Sequence, residues 1–361
     1  MVGMRDVAKE AGVSLSTVSL VVNKTGYVSD DMRARVKAAM KELNYVPNEL
    51  ARNLYKNRTN LVGVIVPTIR HPFFATLTAH LQRELAAQGL RTMLCSTADA
   101  ENGEVEYVDM LRRHMMDGII VCSHTTHPND YWTSIHRPIV AFDRVLGGGI
   151  ASIGSDHEQG GRLMAHMLVN TGAHHVVMIG GPRDQFFDLA ARNGDSPDDF
   201  DLHKTTFPAV RYYLTLEQEL KAAGVRYEYV EAGNVEDFQG YKNAVNAVLN
   251  SMPVGGVDAV VSSDIGAALC VREAMRRHIS IPRDLQIIAY DGTYLTDLAG
   301  MKMTAVAQNF DKIAQVAVSN IVRAIAKEGD AKADTTSATG RKPYEPDVLI
   351  PVTRKLGDTT R

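Results

Sequence analysis

Residues 6–23 read DVAKEAGVSLSTVSLVVN, and this stretch decides how the N-terminal part of the chain folds. Gly12 takes a positive φ without steric cost, as a tight turn between two helices requires. Ser14 is placed to cap a second helix through its hydroxyl, and Ala8 is small where the two helices approach closely. The stretch predicts a helix-turn-helix, with one helix ending at Gly12 and the next beginning after Ser14. The shared apolar seam comes from Val7, Val18 and Val21.

The second helix of this motif is predicted to turn one set of side chains outward. In helix-turn-helix proteins that face meets base edges in the major groove of DNA, while Thr17 and Asn23 suit phosphate oxygens. A third helix is indicated by Ser29 as its cap, with Asp30 and Asp31 in its first turn. A generic helical hairpin would explain one Ala-x-x-x-Gly pattern, but the three helices in order favour a DNA-reading module. The outward residues are Leu15, Ser16, Ser19, Leu20 and Asn23.

The pattern changes after Thr59, where short β-branched runs begin to alternate with amphipathic helical stretches. Repeated β-α-β units predict parallel sheets covered by helices on both faces. About ten predicted strands exceed what one open sheet holds comfortably, which favours two lobes. Two stretches interrupt the alternation, an acidic one at 183–212 and a polar linker at 329–343. We interpret 183–212 as a solvated loop, because the spacing of a calcium-binding loop is absent.

The charge distribution separates the same two parts of the chain. Residues 1–58 carry 10 Lys+Arg and 6 Asp+Glu, a net of +4, whereas the remainder carries 29 and 36, a net of -7. A basic module on an acidic body suits a polyanionic partner, although +4 alone is common on solvated helices. No charged leader with an apolar core precedes Asp6, and no apolar run approaches a membrane span. We therefore expect a cytoplasmic protein without a membrane partner.

The run from Asp6 to Leu54 contains D-V-A-x-x-A-G-V-S-x-x-T-V-S, V-V-N, V-S, E-L-N-Y-V-P-N and A-x-x-L. It resembles the DNA-binding headpiece of the lactose/galactose repressor family. That resemblance implies a homodimer on a pseudopalindromic operator, and a two-lobed periplasmic-binding-protein-like domain after the headpiece. It also implies a hinge that becomes helical on operator DNA and places a leucine in the minor groove. By position the hinge roles fall on Asn48, Ala51 and Leu54.

The expected organisation is a small all-α helix-turn-helix headpiece at 1–47, a hinge and linker at 48–59, and an α/β two-lobed domain with parallel sheets at 60–361. One departure from the family affects DNA specificity. Many relatives present arginine or glutamine on the recognition helix, where this chain has Leu15, Ser16 and Leu20. Bidentate readout of guanine from Leu20 is impossible, so we expect thymine-methyl contacts and DNA shape to matter more. Tyr27 in the following loop is a further candidate for DNA contact.

Ligands of open α/β sheets bind beyond the carboxyl ends of the strands. The residues there form an aromatic wall with carboxylates, a guanidinium and amides, which suits a polyhydroxylated ligand such as a carbohydrate. An aspartate after a strand also has a plain alternative role as a helix cap. In the family, a helix carries an arginine in the effector site, and its position falls near Arg211 or Tyr212 of this chain. The family also has an aromatic residue at the position that Val235 occupies here. The predicted effector residues are Phe73, Phe74, Asp143, Arg144, Asp156, Tyr212, Ser263, Asp264, Asp291 and Gln308.

Other classes of function fit the sequence less well. The chain lacks phosphate-binding and dinucleotide-binding fingerprints and a nucleophile elbow, and His174 and His175 on one strand point to opposite faces. We expect no catalysis, no cofactor and no metal, and three reduced, buried cysteines. An extracytoplasmic sugar-binding protein without a DNA role is the main alternative, but it would need a secretion signal. A DNA-architectural protein would not need a pocketed domain of this size.

Overall fold

The computed structural model describes residues 2–23, 25–47, 58–98, 100, 103–125, 127–183, 205–329 and 346–361. The chain divides into two compact units, Met1–Asn60 and Leu61–Arg361. The predicted hinge residues Asn48, Ala51 and Leu54 lie outside the described residues. No described helix is long and apolar enough to cross a membrane.

The first unit contains three short helices, α1 (Met4–Ala11), α2 (Leu15–Asn23) and α3 (Asp30–Glu42). Gly12 ends α1 at φ 63°, and its N–H donates to the carbonyls of the last turn. Ser14 Oγ accepts from the N–H of Thr17 at 3.1 Å, and Ser29 Oγ accepts from Met32. The helix-turn-helix and its caps therefore form as predicted. The core of this unit includes Val7, Ala8, Ala11, Val18, Val21, Val28, Val36 and Ala39.

The second unit contains two six-stranded sheets, each covered by helices on both faces. The first sheet has the strand order β11 (Val348–Ile350), β5 (Ala151–Ser155), β4 (Ile139–Phe142), β3 (Gly118–Val121), β1 (Leu61–Val66) and β2 (Arg91–Ser96). The second has the order β12 (Thr353–Lys355), β10 (Thr304–Ala307), β9 (Gln286–Asp291), β8 (Ala259–Ser263), β6 (His175–Gly180) and β7 (Arg226–Glu231). All neighbouring pairs are parallel except β10 and β12, which are antiparallel. Because both faces are covered, strands such as β3, β4, β6 and β9 are buried along their whole length. The prediction of two lobes built on parallel sheets is confirmed.

Lobe 1 is the half built on the first sheet. Its last helix, α12, comes late in the chain but packs in the same core as Phe73, Phe74 and the strands of this sheet. Its elements are β1 (Leu61–Val66), α4 (Pro72–Ala87), β2 (Arg91–Ser96), α5 (Gly103–Arg112), β3 (Gly118–Val121), α6 (Asn129–Thr133), β4 (Ile139–Phe142), β5 (Ala151–Ser155), α12 (Phe310–Gly329) and β11 (Val348–Ile350).

Lobe 2 is built on the second sheet, and the chain passes between the lobes after β5, after β10 and after β11. These three crossings bring the carboxyl ends of both sheets to a shared cleft. The elements of lobe 2 are α7 (His157–Asn170), β6 (His175–Gly180), a 3₁₀ turn (Pro208–Val210), α8 (Arg211–Ala222), β7 (Arg226–Glu231), α9 (Phe238–Gly255), β8 (Ala259–Ser263), α10 (Asp264–Arg276), β9 (Gln286–Asp291), α11 (Leu295–Leu298), β10 (Thr304–Ala307) and β12 (Thr353–Lys355).

The interpretation of 183–212 as one long loop is wrong at its C-terminal end. The 3₁₀ turn begins at Pro208 and α8 begins at Arg211, and residues 184–204 lie outside the described residues. Val210, Tyr212 and Leu216 are buried, so α8 packs its apolar face on the lobe. That helical periodicity starts too close to the acidic stretch to stand out in the sequence.

Candidate functional site

The exposed face of α2 carries small hydroxyl side chains and one apolar one. Leu15 is 44% exposed, and Ser16 beside it is also exposed. Ser14 Oγ lies 2.7 Å from Ser16 Oγ and 2.9 Å from Thr17 Oγ1. These hydroxyls therefore form one hydrogen-bonded group at the start of α2. Phosphate oxygens or base edges can replace the hydrogen bonds that these hydroxyls make to one another. Tyr27 is 92% exposed, as expected of a residue available to DNA.

The other predicted DNA contacts on α2 are only partly outward. Leu20 is half-buried and packs against the headpiece core, with its methyl groups over Gly26. Asn23 Nδ2 donates to Ser19 Oγ at 3.1 Å, one turn earlier on the helix. The helical repeat predicts these residues on the outward face of α2. The loop through Gly26 covers part of that face, which the helical pattern did not predict.

A cavity of about 350 Å³ opens between the two lobes at the carboxyl ends of their strands. This volume lies within the range of small-molecule sites. The strand ends and helix starts that the sequence singled out meet here, although they are spread over more than 200 residues. Of the ten predicted effector residues, eight line it: Phe73, Phe74, Asp143, Arg144, Tyr212, Ser263, Asp291 and Gln308.

Two predicted effector residues, Asp156 and Asp264, are not among the residues that line the cavity. Asp156 Oδ1 caps α7 by accepting from the N–H of Gln159 at 2.8 Å. Asp264 is fully buried and accepts from Gly292 N–H and from both the N–H and hydroxyl of Thr293. Burial raises the pKa of Asp264 to about 6, against the lowering effect of these donors. Neither carboxylate lines the cavity, because a carboxylate after a strand also satisfies nearby backbone N–H groups, and their assignment to the effector site stays a prediction.

The walls of the cavity are aromatic on both sides. In lobe 1, Phe73 packs edge-on against Phe74 at 5.0 Å and stacks with Phe142 at 6.1 Å between ring centroids. In lobe 2, Tyr212 stacks flat on Tyr290, with centroids 3.8 Å apart and planes at 5°. Aromatic walls cover the apolar faces of a ring while polar groups meet its edges.

Two of the cavity carboxylates, Asp143 and Asp291, lie where β4 and β9 end, in backbone conformations that L-residues rarely adopt. Asp143 has φ 48° and Asp291 has φ 118°, and both side chains are buried. Backbone strain of this kind persists where the surrounding structure holds it, often at binding sites. Burial, reinforced by the negative charge of Asp264, raises the pKa of Asp291 well above its ordinary value. Two buried carboxyl groups therefore lie at the strand ends that line the cavity.

Two polar chains run across the cleft beside these carboxylates. In the first, the lobe 2 residue His157 lies 2.9 Å from Asp143 Oδ1 through its Nε2, and its Nδ1 is 2.7 Å from Tyr290 Oη. In the second, Ser155 Oγ donates to Gln308 Oε1 at 2.6 Å, and Gln308 Nε2 donates to Asp291 Oδ1 at 2.9 Å. Groups from both lobes thus share one hydrogen-bonded floor.

One guanidinium, that of Arg144, lines the cavity among the described residues. Arg211, one of the two residues expected at the family's helix-borne arginine, is instead buried beside Glu158 at 3.9 Å and does not line the cavity. Its neighbour Tyr212 does, through the stack on Tyr290. Val235 also lines the cavity, in place of the family's aromatic.

The sequence missed several lining residues because their positions follow from packing across the cleft. His71 caps α4 by accepting from Phe73 N–H at 3.3 Å, and burial lowers its pKa to about 4, which keeps the imidazole neutral. A signal existed for His71 and Tyr290, which are sequence neighbours of predicted contacts, whereas Phe207 lies within the stretch 183–212 that we interpreted as a solvated loop. The missed residues with ring side chains are His71, His124, Phe142, His157, Phe207, Tyr213, Tyr241 and Tyr290.

Metal-ligating and nucleophilic side chains show no cluster in the part of the chain that the structure describes. No group of three or more His, Cys, Asp or Glu residues there is arranged to hold a metal ion. Cys95, Cys122 and Cys270 are free and buried, as predicted, and burial raises the pKa of each thiol to about 12. His174 is exposed and His175 buried on β6, so they cannot share a ligand.

Comparisons with known families give separate matches for the N-terminal part of the chain and for the rest. A model described as bacterial regulatory proteins, lacI family, matches residues 3–48. Models for the sugar-binding domain of that family and for a periplasmic-binding-protein-like domain match residues 59–194 and 165–342.

Similar proteins match over most of the chain. The sucrose operon repressor of Streptococcus mutans is 33% identical, over 89% of this chain and 92% of the relative. The ribose operon repressor of Bacillus subtilis is 32% identical, over 81% of this chain and 82% of the relative. A crystal structure of the lac repressor dimer bound to operator and an anti-inducer is similar in fold, with a TM-score of 0.77 and 21% identity over 99% of both chains.

Proposed function

Because the chain belongs to the lacI family of bacterial regulatory proteins, we propose that it is a repressor controlled by a carbohydrate. In this proposal, a homodimer binds a pseudopalindromic operator through its two headpieces, and the ligand binds between the lobes of each subunit. The protein acts in the cytoplasm, where its DNA is. The names of the sucrose and ribose operon repressors support a sugar as the ligand class.

The cavity is the observation that carries the proposal. It combines aromatic walls from both lobes with the carboxylates of Asp143 and Asp291 and the amide of Gln308. Carboxylates accept hydrogen bonds from paired hydroxyls, while rings cover the apolar face of a sugar. Both carboxylates are buried and already accept hydrogen bonds from Ser155 and Gln308, so a ligand hydroxyl would add to these bonds or replace them.

The ligand can control DNA binding because both lobes supply residues to the cavity. A ligand that bridges Asp143 in lobe 1 and Asp291 in lobe 2 stabilises one arrangement of the lobes over others. The close contact of His157 with Asp143 and the hydrogen bond from Ser155 to Gln308 already join the same two lobes, so a ligand that replaces or reinforces them changes that balance. A difference in ligand affinity of about 1–3 kcal/mol between two lobe arrangements changes DNA affinity about 5- to 150-fold.

On the DNA side, we propose that α2 lies in the major groove, with Leu15, Ser16 and Tyr27 contacting bases or backbone. The hinge at 48–59 would place Leu54 in the minor groove, supported by Asn48 and Ala51. A sugar-binding protein without a DNA role is disfavoured, because the headpiece matches the lacI family model over residues 3–48.

The experiment is a selection of duplexes from random double-stranded DNA with the full-length protein, followed by fluorescence anisotropy on the selected duplex. We expect a symmetric site that binds two chains. We also expect at least one member of a panel of ribose, sucrose and glucose derivatives and purines to change its affinity. Ser16→Ala should shift the selected bases while binding to random DNA stays the same. Selection of no preferred sequence would overturn the proposal.

A further inference from the structure

Arg144 carries a positive charge into the cavity, and no described carboxylate forms an ion pair with it. Its side chain is buried, with 5% of the residue exposed. Nε donates to the Ser123 carbonyl at 2.6 Å, and Nη1 donates to the backbone carbonyl of Asp143. Both acceptors are neutral, and the guanidinium forms no ion pair within 4 Å among the described residues. Buried charges are ordinarily paired, and among the described residues this one has no carboxylate within ion-pair distance.

The nearby acidic groups are occupied elsewhere. The Asp143 carboxylate accepts from Ser155 N–H at 3.2 Å and lies against His157. Glu104 accepts from the Thr125 hydroxyl at 2.6 Å, and burial raises its pKa, which favours its neutral form. Burial likewise lowers the pKa of Arg144 to about 10, against the raising effects of Asp143 and Glu104. The carboxyl groups of Asp143 and Glu104 therefore neutralise only part of the charge of Arg144.

A segment from lobe 2 fixes the orientation of this guanidinium. The Phe207 ring lies over it, with 4.0 Å between Arg144 Cζ and the ring centroid. The carbonyl of Thr206 accepts from Val145 N–H at 3.0 Å, which attaches the segment to lobe 1, and His124 packs edge-on against Phe207 at 5.4 Å. With one face covered and two edges bonded, the guanidinium is preorganised to bind an anion with its remaining N–H groups.

We propose that this end of the cavity, the Arg144 subsite formed by Arg144, His124 and Phe207, binds an anionic group of the effector. The effector is then an acidic carbohydrate that carries a carboxylate or a phosphate. The inference rests on the proposed function and narrows its ligand class. Its sugar ring lies between the aromatic walls near Asp143 and Asp291, and its charged group reaches Arg144.

The test compares neutral sugars with their charged counterparts on the full-length protein at constant ionic strength. The pairs are glucose with glucuronate, glucose with glucose 6-phosphate, and ribose with ribose 5-phosphate, and inorganic phosphate is a separate probe. Thermal shift and isothermal titration calorimetry are measured on wild type and Arg144→Gln. The matched control is Arg162→Gln, since Arg162 lies on α7, is 45% exposed at its side chain and pairs with Glu158.

We expect at least one charged probe to bind wild type about 10- to 150-fold more tightly than its neutral counterpart, as charge-assisted hydrogen bonds predict. Arg144→Gln should lose that difference while Arg162→Gln keeps it. A merely structural Arg144 would lower the melting temperature and weaken neutral and charged ligands alike. The glucuronate and phosphate arms distinguish a carboxylate from a phosphate.

Two outcomes would overturn the subsite. One is that no charged probe, inorganic phosphate included, binds wild type better than the neutral sugars. The other is that Arg144→Gln retains the preference. A neutral sugar that releases the operator while charged sugars do not would refute the subsite and leave the proposed repressor function standing. Absence of sequence-specific DNA binding in the same preparation would instead refute the proposed function.

Discussion

Replacing Asp291 by asparagine tests the effector site with little disturbance of the fold. The two side chains have the same shape, and asparagine tolerates positive φ better than most residues, which matters at φ 118°. Asparagine also keeps an oxygen for the hydrogen bond from Gln308 Nε2. The substitution therefore removes the charge and turns one acceptor atom into a donor, while the cavity walls stay in place.

The expected loss of affinity follows from the hydrogen bonds that the carboxylate offers. A hydrogen bond to a charged group contributes about 1.5–3 kcal/mol. Losing one such bond to a ligand hydroxyl raises the effector Kd about 10- to 150-fold. The stability of the free protein should change in the opposite sense. Burial and Asp264 raise the pKa of Asp291, so its ionisation destabilises the folded state, and the uncharged variant should be at least as stable at neutral pH.

The assay is titration calorimetry with the ligand from the sugar screen that changes operator binding, together with urea unfolding of both proteins. Asp156→Asn is the matched control, because Asp156 also follows a strand but caps α7 outside the cavity. Asparagine caps helices about as well as aspartate, so this control should keep both its effector Kd and its stability. An unchanged Kd for Asp291→Asn, or an equal loss in the control, would refute the placement of the effector against Asp291.

Three further predictions concern the hinge, the DNA and the buried acid. Leu54→Ala should weaken operator binding in anisotropy measurements and leave effector Kd unchanged; equal operator affinity would refute the hinge assignment. Operator affinity should fall about 10³- to 10⁵-fold between 50 and 200 mM salt if the dimer contacts some 6–10 phosphates, and a flat dependence would contradict phosphate neutralisation. Asp264 has its pKa raised to about 6, so the folded state holds this proton more tightly than the unfolded state. The free energy of unfolding should therefore decrease as pH rises from about 4 to 6, and Asp264→Asn should remove that contribution; an identical pH profile in urea unfolding would contradict it.

The helix-turn-helix could be predicted from sequence because its determinants are local. Gly12 ends a helix through its own φ, and Ser14 and Ser29 bond to N–H groups three residues away. Strands were recognisable for a similar reason, since burial on both faces demands continuous apolar runs. The acidic stretch before Arg211 was the exception, because a helix began where composition suggested only loop.

The effector site was predictable only in outline. The rule that ligands bind beyond strand ends found eight of the ten predicted effector residues at one cavity. It could not separate Asp143 and Asp291 from Asp156 and Asp264, because all four follow strands. Whether such a carboxylate faces a ligand or a backbone N–H depends on what the neighbouring loop offers, as Gly292 and Thr293 do for Asp264.

Local signals along the chain therefore account for the headpiece helices and their caps, the two parallel sheets, and the set of strand ends from which the site is drawn. These depend on short-range hydrogen bonds and on the period of apolar residues along the chain. Only the folded chain shows which of those residues share the cavity, that Tyr212 rather than Arg211 lines it, and that Arg144 lies under Phe207 with no carboxylate partner among the described residues. Those facts depend on contacts between lobes joined by three crossings, and such contacts leave no periodic signal in the sequence.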